Sequence, residues 1–254
     1  MKLFYRQSGS GEPLIILHGL FGSSDNWFSL AKVFAEKYCV YLVDQRNHGQ
    51  SPQSDDFNYQ LLAEDLHEFI QEHKLQNPNI IGHSMGGKTA MNFAVKYPDQ
   101  LGKLIIVDIV PKQYPVHHDR ILDGLLSIDL EVTTSRTEAD EALIKYIPEV
   151  GVRQFLLKNL YRTSDGKFAW RINLSAMNNH IEEMGAGMQY DGQFKGATLF
   201  LMGARSNYFA QGDETSIKII FPTAIIKSID TGHWVQAEKP EEFAEIVNEF
   251  LTSE

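Results

Sequence analysis

Short apolar runs recur along the chain at residues 14–17, 39–43, 80–81, 104–110, 198–202 and 224–229, each bounded by glycine, proline or polar turn residues. Runs of this length without polar alternation predict strands buried on both faces. Between them, residues 27–37, 59–73, 88–96 and 241–251 carry apolar side chains three and four apart, the spacing of one helix face. Alternating strand and helix predicts a mostly parallel sheet with flanking helices, an α/β fold. The stretch 111–190 keeps helical spacing and shows no strand-like run. It predicts an inserted helical cap on a core made of residues 1–110 and 191–254. Such an insertion sits at the carboxyl edge of the sheet, where open α/β sheets bind ligands.

Composition narrows the possible partners. With 23 basic against 33 acidic side chains, the net charge of -10 disfavours binding to nucleic acid or to anionic lipid. One cysteine, Cys39, leaves no intrachain disulfide and no multi-cysteine metal site, which suits a reducing cytoplasm. Its position inside a predicted strand makes it an expected core residue. No apolar run approaches the roughly 20 residues that span a bilayer, and the opening MKLFYRQSGSGEP lacks the apolar stretch of a secretion signal. These features predict a cytoplasmic protein with no membrane span.

The strongest chemical signal lies at residues 79–88, Asn-Ile-Ile-Gly-His-Ser-Met-Gly-Gly-Lys, where G-x-S-x-G follows a predicted strand and opens a predicted helix. In that context the turn presents Ser84 as a nucleophile at a helix amino terminus, and Cβ atoms at Gly82 or Gly86 would clash with neighbouring backbone. The loop His18-Gly19-Leu20-Phe21-Gly22 directly follows the first predicted strand. Its glycines allow backbone amides to point inward, so the oxyanion donors are expected to be the N–H groups of Leu20 and Met85, with Phe21 as the substitute for Leu20.

A base for Ser84 must come from the nine histidines. His67 and His73 fall on a predicted helix, His18 and His48 lie in glycine turns, and His83 adjoins the nucleophile but is expected to point away. His233, in Asp230-Thr231-Gly232-His233-Trp234 after the last predicted strand, has the order and setting of a general base.

With HGLFGS at 18–23, DQRNHGQS at 44–51, GHSMGG at 82–87 and GHWVQAEKP at 232–240, the whole chain resembles the α/β-hydrolase superfamily, and more narrowly the YbfF-type bacterial esterases. The resemblance implies an α/β-hydrolase fold with a cap and a Ser, Asp, His order of catalytic residues. One departure stands out. Most relatives carry an aspartate shortly after the strand that follows the cap, and here the loop reads Gly203-Ala204-Arg205-Ser206-Asn207-Tyr208. Asp213 is too far along and Asp230 lies on the same turn as His233. Asp108, in an otherwise apolar strand where an unpaired charge is costly, is the expected acid, and the resemblance supports that location. Ser206 is then expected to assist His233.

The implied activity is hydrolysis of a carboxylic ester or thioester, including acyl-coenzyme A, through an acyl-Ser84 intermediate with no cofactor and no metal. A serine at position 84 disfavours the aspartate-dependent dehalogenases and epoxide hydrolases of the same superfamily. Serine-based C–C hydrolases, perhydrolases, acyltransferases and small-molecule receptors remain open. Lys112, His117, His118 and Arg120 gather at the cap entrance as a solvated basic face or a site for an anionic acyl donor. Tyr146, Phe155, Phe168 and Trp170 are expected to pack the cap, with one or two lining the acyl pocket. Asp44, Arg46 and His48 read as a structural turn.

Overall fold

The computed structural model describes residues 1–114, 119–187 and 190–253. The chain first lays down β1 (Tyr5–Ser8), β2 (Glu12–Leu17), α1 (Phe28–Phe34), β3 (Tyr38–Val43), α2 (Tyr59–Glu72), β4 (Asn79–His83), α3 (Met85–Lys96) and β5 (Leu104–Val107). Then come α4 (Asp119–Leu126), α5 (Arg136–Ile144), α6 (Val150–Leu157), the hairpin β6 (Leu160–Arg162) and β7 (Phe168–Trp170), and α7 (Leu174–Gly185). The chain returns through β8 (Thr198–Gly203), α8 (Asp213–Ile220), β9 (Ile225–Ile229), the short α9 (Val235–Glu238) and α10 (Pro240–Thr252).

Among the described residues, seven strands form one sheet in the order β1-β3-β2-β4-β5-β8-β9. β1 runs antiparallel to β3, and every other pair is parallel. Alternation along β2 sends Ile15 and Leu17 to the face covered by Ala63, Phe69 and Phe93 of α2 and α3. Leu14 and Ile16 face Leu30, Phe34, Phe243 and Val247 of α1 and α10. Burial on both faces is why the strands read as unbroken apolar runs. A third cluster joins Leu122, Leu143, Leu156 and Met177 of α4–α7 to Phe21 and Met85 of the sheet edge. None of the helices among the described residues is long and apolar enough to cross a membrane.

The structure departs from the sequence-based expectations in four places. β5 ends at Val107 and not at residue 110, because Asp108 takes a left-handed φ of 49° that leaves the ladder. The stretch between β5 and β8 is not purely helical: β6 and β7 pair Leu160 with Trp170 around a turn in which Gly166 has φ 84°. Three-residue strands are too short to impose a period of two on the sequence. β1 escapes notice because Tyr5-Arg6-Gln7-Ser8 is a polar, largely exposed edge strand. Cys39 is half-buried, with Gln7 Nε2 donating to its Sγ at 3.1 Å, because its strand lies next to that edge.

Parallel strands bring their carboxyl ends to one side of the sheet. Ser84 follows β4, residues 18–22 follow β2, Asp108 follows β5, Ser206 follows β8 and His233 follows β9. Five loops distant in sequence thus converge on one edge.

Candidate active site

Ser84 stands between β4 and α3 with φ 52° and ψ -115°, a conformation that side-chain-bearing residues seldom adopt. Two glycines permit the turn. A Cβ at Gly82 would lie 2.3 Å from the Gly86 carbonyl oxygen, and one at Gly86 would lie 2.5 Å from that of Leu17. The Ser84 N–H donates to the Val107 carbonyl at 3.0 Å, which ties the turn to β5. Met85 is the first residue of α3, so its N–H is one of the amides left without an intrahelical acceptor at a helix start.

Asp108 is fully buried, and both of its carboxylate oxygens accept hydrogen bonds. Oδ1 accepts from the Gly203 N–H at 2.8 Å. Oδ2 accepts from His233 Nδ1 at 2.7 Å and from the Ser206 hydroxyl at 2.5 Å. Ser206 therefore bonds to the carboxylate and not to the imidazole, a correction to its expected place beside His233. The reason is geometric, since Asp108 Oδ2 lies between the Ser206 hydroxyl and His233 Nδ1 as the acceptor of both. The other acidic candidates lie elsewhere: Asp213 pairs with Lys112 at 2.5 Å, and exposed Asp230 faces Arg205 at 3.5 Å.

His233 is held from three sides. Besides Asp108, its ring stacks on Tyr208 with centroids 4.1 Å apart and planes within 19°. Its carbonyl meets His83 Nε2 at 2.9 Å, and the two imidazoles lie 4.7 Å apart. His83 thus packs against His233. Burial, reinforced by the neighbouring His233, holds the His83 imidazole down to about 3, so it is neutral and donates that bond. Neither Tyr208 nor His83 carried a sequence signal for these contacts, because both are made across loops remote in sequence.

Phe21 does not offer a free amide: its N–H donates to His48 Nε2 at 3.2 Å. His18 similarly accepts from the Gln45 N–H at 3.0 Å through Nε2. Burial pushes both His18 and His48 below the ordinary histidine value. Arg46 makes a two-pronged contact with Asp65 at 2.6 and 2.9 Å, and Asp44 accepts from the Ser24 and Gln50 amides at 2.6 and 2.9 Å. These residues brace the loops around the site.

Two cavities meet at Leu20, Ser84 and Tyr208. The larger, about 530 Å³, also holds His233, Trp234 and Phe155. The smaller, about 330 Å³, is lined by Met85, Lys88, Tyr59, Tyr114 and Met184. Tyr146, Phe168 and Trp170 join the α4–α7 cluster, and Phe155 also reaches the larger cavity, where it packs on Trp234 at 5.7 Å. Lys112 is paired and Arg120 is exposed on α4; His117 and His118 lie outside the described residues. Among the described residues, no group of three or more histidine, cysteine, aspartate or glutamate side chains is gathered to hold a metal ion.

Comparison with known proteins sets this geometry among relatives. The family model described as alpha/beta hydrolase fold matches residues 12–141. An sn-1-specific diacylglycerol lipase of Danio rerio is 37% identical over 252 residues, 96% of this chain and 79% of that protein. Esterase YbfF of Escherichia coli is 32% identical over 244 residues, 95% of this chain and 94% of its own. Among solved structures, a marine microorganism esterase superimposes with a TM-score of 0.96 at 45% identity, covering 98% of this chain and 99% of its own.

Proposed function

Because the chain belongs to the α/β-hydrolase family, we propose that it cleaves carboxylic esters or thioesters through an acyl intermediate on Ser84. The observation that carries this reading is the 2.7 Å contact of His233 with Asp108 beside a cavity that Ser84 and His233 both line. Ser84 Oγ attacks the acyl carbonyl while His233 Nε2 takes its proton. Asp108 accepts from Nδ1–H, which keeps Nε2 basic and stabilises the imidazolium that forms. His233 then returns the proton to the departing alcohol or thiol. Water, deprotonated by the same imidazole, releases the acid. The cycle needs no cofactor.

In this reading the N–H groups of Leu20 and Met85 receive the oxyanion, and loss of either raises the barrier by about 3 kcal/mol. Support comes from their position with Ser84 in the smaller cavity and from the commitment of the Phe21 amide to His48. Residues 111–190 serve as a cap on a core of 1–110 and 191–254, supported by the cluster that joins α4–α7 to Phe21 and Met85. Ser206 acts on the acid, as a second donor to Asp108, and not on the base. Cytoplasmic placement is proposed on the single cysteine and the ester substrates on the esterase and lipase relatives.

Rates on p-nitrophenyl esters of graded acyl length and on matching thioesters test the reading. Turnover by the wild type that falls to background in Ser84→Ala is the expected result. Activity that survives in Ser84→Ala contradicts it.

A further inference from the structure

The smaller cavity contains a charge that the proposed cycle does not use. Lys88 lies on α3 one helical turn beyond Ser84, and it is only 1% exposed. It lines the smaller cavity together with Ser84. Its ammonium donates to the Ala186 carbonyl at 2.8 Å and reaches that of Gly185 at 3.4 Å. The ring centroids of Tyr59 and Tyr114 each lie 5.2 Å away. Among the described residues, no carboxylate lies within ion-pair distance of it. An ammonium has three N–H donors, and two carbonyls leave it without an anion in a site where burying an unpaired charge is costly.

We infer that the smaller cavity is the acyl subsite and that Lys88 selects acyl chains ending in a carboxylate, so that the preferred substrates are half-esters or half-thioesters of short dicarboxylic acids. The inference rests on the Ser84 reading above and adds a substrate class to it. The side of each group follows from proton transfer. His233 must reach the leaving group, and it lines the larger cavity, whereas the lining of the smaller one lacks it. The leaving group therefore occupies the larger cavity and the acyl chain the smaller. Ser84 and Lys88 both line the smaller cavity, so an acyl chain held there has the Ser84 adduct and the ammonium on the same wall.

Among the described residues of that lining no other side chain carries a charge, Asn207 and Tyr208 being uncharged polar groups beside Ser84, Tyr59 and Tyr114. Met85, Ile109 and Met184 are apolar. The Tyr59 hydroxyl donates to the Met184 carbonyl at 3.0 Å and that of Tyr114 to the Tyr208 carbonyl at 2.9 Å, so both are already engaged. Burial lowers Lys88 from the ordinary 10.5 to about 8, which leaves it mainly cationic at neutral pH.

The experiment compares monomethyl adipate with methyl hexanoate, which differ at the far end of the acyl chain, in wild type and in Lys88→Met. The wild type is expected to favour the adipate half-ester by about ten- to a hundredfold in kcat/KM, the value of one charge-assisted hydrogen bond. In Lys88→Met that ratio is expected to collapse by a similar factor. A purely structural lysine, holding residues 185 and 186 to α3, lowers both rates together and leaves the ratio unchanged, which overturns the inference. Should the variant fail to fold, the wild-type ratio decides alone: a preference for methyl hexanoate overturns it. A wild type inactive on both esters removes the hydrolase reading and this inference with it, whereas turnover of methyl hexanoate without preference for the half-ester removes only the inference.

Discussion

Asp108 Oδ2 and His233 Nδ1 stand 2.7 Å apart although 125 residues separate them in the chain. The contact exists because β5 and β9 end on the same edge of a parallel sheet with β8 between them. Since Asp108 is fully buried and also accepts from Gly203 and Ser206, its carboxylate has a fixed position. Asp108→Asn is expected to lower kcat on p-nitrophenyl esters by roughly four orders of magnitude, because an amide favours the wrong imidazole tautomer and cannot stabilise the imidazolium. Circular dichroism should report a retained fold. Near wild-type turnover removes Asp108 from its role.

Ser206 Oγ lies 2.5 Å from the same carboxylate oxygen, so a carboxylate carried by residue 206 falls near the place that Asp108 now fills. The double variant Asp108→Asn with Ser206→Asp is expected to recover about a hundredfold of the lost activity, part of what the triad acid contributes. Initial rates on one ester for the single and double variants decide it. A double variant no faster than Asp108→Asn shows that the β8 loop cannot supply the acid.

The parts of this site that were legible in the sequence are those with local causes. Ser84 needs a strained turn between a strand and a helix, and that need writes two glycines beside it. Asp108 could be read because a carboxylate among Ile105, Ile106, Val107 and Ile109 needs a partner. The sheet was legible because burial on both faces leaves unbroken apolar runs. By contrast, the bond of Ser206 to Asp108 spans 98 residues, and the stack of Tyr208 on His233 joins two loops that share no periodicity. β1 was hidden because an edge strand can be polar on both faces. Lys88 read as the start of a helix, since nothing local reveals that α7 ends above it and closes it from water.

Three buried histidines give the fold an acid limit. Burial lowers His18, His48 and His83, the last to about 3 from 6.5, so the unfolded chain binds protons that the folded chain excludes. The histidine contribution to stability is therefore complete above about pH 6.5 and is lost as pH falls through 6.5 toward 3. His83 alone removes about 2 kcal/mol on going to pH 5. Urea unfolding at pH 7 and pH 5 should show a clear fall in midpoint, smaller in His83→Gln. A midpoint that does not move contradicts the neutral state of these rings.

Lys88 acts in the same direction at alkaline pH. With its folded value near 8 and the ordinary value at 10.5, the unfolded chain holds a proton in that window that the folded chain has released. Raising pH from 8 to 10.5 thus stabilises the wild type relative to Lys88→Met, by up to about 3 kcal/mol. Denaturant curves for both proteins at pH 7.5 and pH 10 measure the difference. Parallel pH dependence of the two proteins contradicts the burial of a charged lysine.

In the proposed cycle Ser84 is a nucleophile made reactive by His233 and Asp108. Intact-mass spectrometry after exposure to a fluorophosphonate, followed by peptide mapping, tests it most directly. One adduct per chain is expected, carried by the peptide containing Ser84, with labelling abolished in His233→Ala and strongly slowed in Asp108→Asn. An unlabelled wild type, or an adduct on any other residue, contradicts it.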